Sequence, residues 1–599
     1  MKRFFKIVSI LLITLLIASC GQNVVRDDPA PAPTAPEASA EGETAANDDT
    51  PANDETAPVE VRESIVLNIL DNRVDAPTSS LEDEIGRMIY EELQIELLMI
   101  PFTESHFERA LMMLAAQDWG NLDIVQTALD HITVSHIEAG VLVNLDEHRH
   151  LMPDFFSYHA DSIPFWRLLD VENGNLYVWQ AGPDQIQMTN PPLDIVTRID
   201  VMEALGWPEL DTTDDYIAFL REALEMFPES NGQRSIGMSF FFGDPIGPLI
   251  STYLPRHSGF QHFYKTTGFV DVDNDEIIPL ITHPYARATA EFFNALWRYG
   301  IMDREAWTDS FGEVHAKAEA GVSLSIFFQN WVIHAANEAA DARGTPDAHY
   351  IVTPIRLQIA ADEGRNVRYE IYNMARPDET KGILRQSPHV ERIAELINFM
   401  SNEEMTRRLG WGIEGVHYTV EGGQLVATPY LFEMVNSPDS HAYFRSLGMH
   451  MGYSVLFPVR YLGLLPNGQA AAFGRDPDFN MARITPAQQR FLDAHGYENL
   501  LSPWRDNPNF EFIPFDITRY VSASILDPNS EEGRIAARIT DYINQQMPIV
   551  ITSNTIEEFN SNFDDMVQRV LDMGLDQVIA LYNEQLQDID ARLEELARR

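Results

Sequence analysis

Residues 64–70 read SIVLNIL, 95–100 read IELLMI and 122–126 read LDIVQ. Each is a short, mostly apolar run, as expected of a strand buried on both faces of a sheet. Leu81, Ile85, Met88, Ile89 and Leu93 recur at helical spacing between the first two runs, and residues 107–116 carry a second helical pattern before the third. Strand, helix, strand, helix, strand at this spacing predicts a parallel sheet covered by helices. Such sheets bind ligands beyond the carboxyl ends of their strands. Asp71 stands just past the first run, and Gln126 and Thr127 end the third.

The remaining chain mixes helical patterns with short strands. Asp211, Thr212, Thr213, Asp214 and Asp215 offer N-cap residues and first-turn acids for a helix running to about residue 227. DVDNDE at 271–276 looks like a calcium loop, but it lacks a glycine at the sixth position and has Thr282 where the closing glutamate belongs. A hairpin turn between residues 268–270 and 277–278 fits better. From about residue 555 a helix pair, broken near Met573 and Gly574, carries an apolar stripe of Val567, Val570, Leu571, Val578, Ile579, Leu586 and Ile589.

The amino terminus carries an address. Lys2, Arg3 and Lys6 precede an apolar run from 7 to 17, too short to span a bilayer but of signal-peptide length. Ile17, Ala18, Ser19 and Cys20 then resemble a bacterial lipobox, in which the cysteine is acylated and becomes the mature terminus. Cys20 is the single cysteine of 599 residues, so disulfides, thiolate metal sites and thiol catalysis are excluded. Residues 21–60 are rich in Ala, Pro, Thr and acids and nearly free of large apolar side chains, the composition of an unfolded tether. A net charge of −49, spread along the chain, argues for solubility and against a nucleic-acid partner.

These segments together resemble the extracellular solute-binding protein family 1 of ABC importers, within it the large tethered lipoproteins of the LipO-like group linked to complex carbohydrates. LDIV at 122–125 is similar to the family's PDIV, NLYVW at 175–179 to GKIYGIP, and RIDVMEALG at 198–206 to YRKDWLDKLG. TTDD at 212–215 matches the PTTLDEF helix start, YGIM at 299–302 resembles YEEGLID, and GVSLSI at 321–326 resembles the GKVAM strand. GIEGVHY at 412–418 is nearly the family's GIEGEHY. The matches keep their order over about residues 61–590.

The resemblance implies an α/β, two-lobed periplasmic-binding-protein-like fold of type II. Each lobe is a mostly parallel sheet flanked by helices, and a hinge of crossing strands joins them around the ligand. It divides the chain into a signal peptide at 1–20, a tether at 21–60, lobe 1 at 61–190 and lobe 2 at 191–319. Residues 320–385 are expected to return to lobe 1 across the hinge, and 386–599 to complete lobe 2 with the C-terminal helices. Some relatives carry a calcium loop after the PTTLDEF helix. FPESNGQR at 227–234 lacks its aspartates, so no structural calcium, and no cofactor, is expected.

A transport receptor needs aromatic and apolar walls with a few placed polar groups, and no catalytic pair. Gln329, Asn330 and Trp331 follow the apolar run 322–328 and join amides to an indole, a combination suited to a sugar; Trp331 otherwise packs a helix start. Gln126 and Thr127 either contact ligand or cap a helix, and Trp179 is either an aromatic floor or core. In FFFGD at 240–244, Phe241 and Asp244 are ligand candidates while at least one phenylalanine is core. Tyr372 and Asn373 form a further candidate pair, and Asp71 either accepts sugar hydroxyls or starts a turn. Trp411 and Tyr418 read as structural supports. His148 and His150 lack a third metal ligand, and no G-x-S-x-G, P-loop or G-x-G-x-x-G is present.

The function expected is therefore a monomeric, non-enzymatic receptor, held to the outer face of the cytoplasmic membrane by lipid on Cys20. It would deliver an oligosaccharide or other small solute to ABC permease subunits. A peptide receptor of the same fold, an anchored carbohydrate-active enzyme, and a sensor or adhesin without a permease are the alternatives.

Overall fold

The computed structural model describes residues 62–598 apart from short internal stretches, the longer being 182–193, 244–253, 255–259, 262–267, 328–331, 372–379 and 515–525. Residues 1–61, with Cys20 and the acidic segment, lie outside the described residues. Among those described, no helix is long and apolar enough to cross a membrane.

The three apolar runs are strands of one sheet, ordered Thr78–Ser79, Ile95–Ile100, Ile65–Leu70, Ile124–Thr127, Thr380–Ile383, Trp179–Gln180. Its centre is parallel, with Ile65–Leu70 between Ile95–Ile100 and Ile124–Thr127. Parallel neighbours require crossovers, supplied by the helices Glu84–Leu93 and His106–Ala116. Asp83 starts the first helix by accepting from the Gly86 N–H (2.7 Å), and Gln94 ends it in the left-handed region at φ 53°. Leu67, Ile69, Ile95 and Leu97 are fully buried on one face, the other face of these two strands is only partly covered and leaves Val66 exposed, and Ile124–Thr127 is buried on both faces.

A second sheet follows the order Tyr350–Thr353, Ile195–Arg198, Ser323–Phe327, Ile236–Ser239. It is mixed: Ile195–Arg198 runs antiparallel to both neighbours, and Ser323–Phe327 is parallel to Ile236–Ser239. The helix Thr213–Met226 begins in a capping box in which Thr212 and Asp215 satisfy each other's backbone N–H groups. The DVDNDE segment is a hairpin turn between Gly268–Asp271 and Glu276–Pro279, with Asp271 opposite Glu276. The helices Ile556–Asp572 and Leu575–Leu596 are separated at Met573 and Gly574, where glycine takes φ 101°.

Sheet membership differs from the sequence expectation in one stretch. Ser323–Phe327 and Tyr350–Thr353, expected with lobe 1, pair in the second sheet, and only Thr380–Ile383 joins the first. The helix Phe311–Glu319 brings the chain back beside Ile236–Ser239 after a short connection, and that neighbour is the parallel partner within reach. The helix Val390–Met400, expected in lobe 2, packs on Glu84–Leu93, Leu145–Leu151 and Pro153–Tyr158, beside the first sheet.

Candidate functional site

Pairing registers define one edge of each sheet. In the first sheet the parallel strands end at Leu70, Ile100 and Thr127, and Asp71 follows directly, its N–H donating to the Ile100 carbonyl (2.9 Å). Thr380 opens an antiparallel strand opposite Thr127 and Gln180, so it reaches the same edge. In the second sheet Ile195 lies opposite Phe327 and Thr353, and Ile326 opposite Ser239. Gln180 ends a strand of the first edge and Ile195 opens one at the second, while Thr353 ends a strand of the second edge and Thr380 opens one at the first. This is the strand-end geometry in which open α/β sheets hold ligands.

The two faces of the first edge have different chemistry. On one, the hydroxyls of Thr127, Thr133 and Thr380 form a closed triangle with sides of 2.6, 2.6 and 3.0 Å. Beside it the Trp166 indole donates to Gln180 Oε1 (2.9 Å). Side chains alternate along a strand, so Gln126, Lys381 and Trp179, which share a register, occupy the other face. Gln126 Nε2 donates to the Leu70 carbonyl (3.1 Å), and the Trp179 indole to the Leu456 carbonyl (2.9 Å). Lys381 is fully buried there, and nothing in the local sequence marks it.

The structure thus gathers four candidates, Asp71, Gln126, Thr127 and Trp179, on one edge, and all are buried. The capping alternative for Gln126 and Thr127 fails, because Asp130 caps the helix His131–Glu138. Trp179 is fully buried with its N–H engaged, so here it packs as core. Gln329, Asn330, Trp331, Asp244, Tyr372 and Asn373 lie outside the described residues.

At the second edge the phenylalanine run divides. Phe240 stacks on Phe242 (5.0 Å) and Phe327 (5.2 Å), and Phe242 on Trp307 (4.5 Å). Phe241 points the other way, edge-on to Phe311 (6.2 Å). All three are buried. Under this run Lys317 Nζ sits among Asp303 (2.8 Å), Glu305 (2.8 Å) and Asp309 (2.6 Å). Burial would lower the Lys317 ammonium, but the hydrogen bonds it donates to Asp303, Asp309 and Glu305 outweigh burial and hold the pKa above its ordinary value. Burial, with the like charge of Asp303 adding to it, pushes Asp309 up to about 6 against the pull of Lys317.

At the start of the second-sheet strand Ile195–Arg198, Asp194 is fully buried. Its Oδ2 accepts from the Trp504 indole (2.9 Å) and from the Tyr369 hydroxyl, and burial raises its pKa well above the carboxylate range. Tyr216 adds a hydroxyl donated to Thr353 Oγ1 (2.6 Å). Away from both edges, the Trp411 indole donates to the Ala470 carbonyl (2.9 Å) and packs with Tyr418, Leu425, Leu465 and Ala471, the supporting role expected of it. Asp194 is not legible in the sequence because its partners lie 175 and 310 residues away, whereas Lys317 lies only 8 to 14 residues from its acids. Only the D-x-E-x3-D spacing of 303–309 gives a local sign.

No family model and no curated protein matches the chain. Solved structures do. The alginate-binding protein AlgQ2 without calcium ion aligns over 87% of this chain and 97% of its own, at 14% identity and a TM-score of 0.57. The S. pneumoniae ABC-transporter substrate-binding protein FusA in complex with kestose aligns over 88% and 100%, at 14% identity and a TM-score of 0.58. An HMO-binding ABC-transporter-associated solute-binding protein from Bifidobacterium longum infantis aligns over 88% and 99%, at 13% identity and a TM-score of 0.53. The chain has the solute-binding-protein fold. The two edges described above carry amides, hydroxyls and aromatic rings.

Proposed function

We propose that this chain is an exported, lipid-anchored receptor that captures an oligosaccharide between the two sheet edges and hands it to an ABC permease. The observation that carries the reading is the pair of strand-end edges, one holding Asp71, Gln126, Thr127, Thr380 and Gln180, the other Phe240–Phe242 and Asp194. Amides and hydroxyls pair with sugar hydroxyls, and aromatic rings take the CH-rich sugar face. The matched structures support a carbohydrate ligand, since their names specify alginate, kestose and HMO. Cys20 behind its apolar run supports the anchor. The reading assigns the chain no catalysis; ligand shifts an open–closed equilibrium.

The test is thermal unfolding of the chain beginning at residue 21, with kestose, alginate oligosaccharides, HMOs and oligopeptides as separate additives. One carbohydrate class is expected to stabilise it by about 2.7 kcal/mol at a hundredfold excess over Kd. A response to peptides alone would replace sugar by peptide. Release of reducing ends would make the chain an enzyme, and silence across the panel would end the receptor reading.

A further inference from the structure

The turn at residues 303–309 runs beside the strand Ile236–Ser239 and its extension. Asp303 N–H donates to the Met238 carbonyl (3.0 Å), Phe242 N–H to the Ala306 carbonyl (2.9 Å) and Gly243 N–H to the Asp309 carbonyl (3.0 Å). Trp307, within the turn, stacks on Phe242. The approach is so close that a Cβ on Gly243 would lie 2.5 Å from the Thr308 carbonyl carbon. The shape of this turn therefore sets the position of Phe240, Phe241 and Phe242.

The turn also brings three like charges together. Carboxylate oxygens of Asp303, Glu305 and Asp309 lie within 4.8 Å of one another, and Asp303 and Asp309 are buried. Without a counter-charge such a group repels itself. Lys317, in the last turn of the helix Phe311–Glu319, fills the centre and donates to all three. Its helix is fixed at the other end by a capping box of Ser310 and Glu313.

We infer that Lys317 is a positioning residue: its ammonium serves as a tethered cation that closes the 303–309 turn and so holds the aromatic run at the second sheet edge. An acid cluster of this geometry calls for a cation, and this chain supplies one covalently. The turn then keeps its shape whether or not divalent ions are present. The part of the inference that concerns ligand rests on the receptor reading above; the part that concerns the turn does not.

Lys317→Ala, made in the chain beginning at residue 21, separates the two. In EDTA its Tm is expected to fall by several degrees and its Trp307 environment, read by near-UV circular dichroism, to change. Added Ca2+ is expected to restore both, because the three carboxylates remain, while leaving the parent chain unmoved. Lys317→Arg, which keeps the charge, should stay close to the parent. A Lys317→Ala chain as stable as the parent in EDTA would overturn the inference, as would a parent whose Tm rises with Ca2+. A fall that Ca2+ fails to restore, with Lys317→Arg falling equally, would reduce Lys317 to ordinary packing and overturn it too. If a carbohydrate binds the parent, Lys317→Ala should bind it severalfold more weakly in EDTA and regain affinity with Ca2+. If no carbohydrate binds, the receptor reading falls and the stability arms still decide the role of Lys317.

Discussion

The two sheet edges solve the same problem by different means. Both bury polar groups at the ends of their strands. The first edge satisfies many of them with neutral bonds: the threonine triangle, the Trp166–Gln180 pair, Gln126 on the Leu70 carbonyl and Trp179 on the Leu456 carbonyl. The second relies on acids, with Asp194 serving two donors and three carboxylates gathered around Lys317. A neutral bond is indifferent to pH and removable at modest cost, whereas a buried ionisable group ties stability to its proton. The first edge also buries Asp71 and Lys381, so the difference lies in which bonds carry charge, and it can be tested from both sides.

The largest effect expected comes from beneath the first edge. His159 is fully buried, with Nε2 on the Pro458 carbonyl (2.6 Å), and burial together with Arg460 lowers its pKa from 6.5 to about 3. A base lowered in the fold contributes stability that is present above 6.5 and lost as pH falls toward 3. The loss is about 4–5 kcal/mol at ~1.4 kcal/mol per pH unit. Urea unfolding across this window should show it, and His159→Gln, which keeps a donor for Pro458, should flatten it. An acid limb unchanged in that variant would remove His159 from the account.

Asp194 works in the opposite sense. Its carboxyl is raised, so the neutral form is favoured in the fold; stability is fully present below the unfolded value of 3.8 and declines as pH rises toward the folded one. Asp194→Asn is expected to flatten that decline, while Asp194→Ala removes the acceptor of the Tyr369 hydroxyl, leaves the Trp504 indole its longer bond to Tyr369 (3.3 Å) and costs about 1–3 kcal/mol. The smallest effect is Thr380→Val, about 1 kcal/mol by urea unfolding, because Thr127 and Thr133 still bond each other at 2.6 Å. If Thr380→Val proves as damaging as Asp194→Ala, the contrast between the edges fails.

The same contrast explains what could be read from the chain. The runs at 64–70, 95–100 and 122–126 are legible because each is short and rich in apolar residues, although only Ile124–Thr127 is buried on both faces. The Thr212–Asp215 cap and the DVDNDE turn are legible because their partners lie within five residues. Gln126, Thr127 and Asp71 could be placed at an edge by strand logic alone, yet their bonding could not. Thr127 meets Thr380 across 253 residues, and Trp179 meets Leu456 across 277. Asp194 was invisible for the same reason, its partners Tyr369 and Trp504 lying 175 and 310 residues away. The strand Ser323–Phe327 was recognised as a strand but joined to the wrong sheet, since an apolar run does not name its neighbour.

The strand Thr380–Ile383 lies between Ile124–Thr127 and Trp179–Gln180. A chain made from its amino end therefore carries two open strand edges until some two hundred further residues have followed. Loop closure of that length is slow, and open edges invite pairing with other chains. Completion of the first sheet thus waits on a strand made two hundred residues after Gln180.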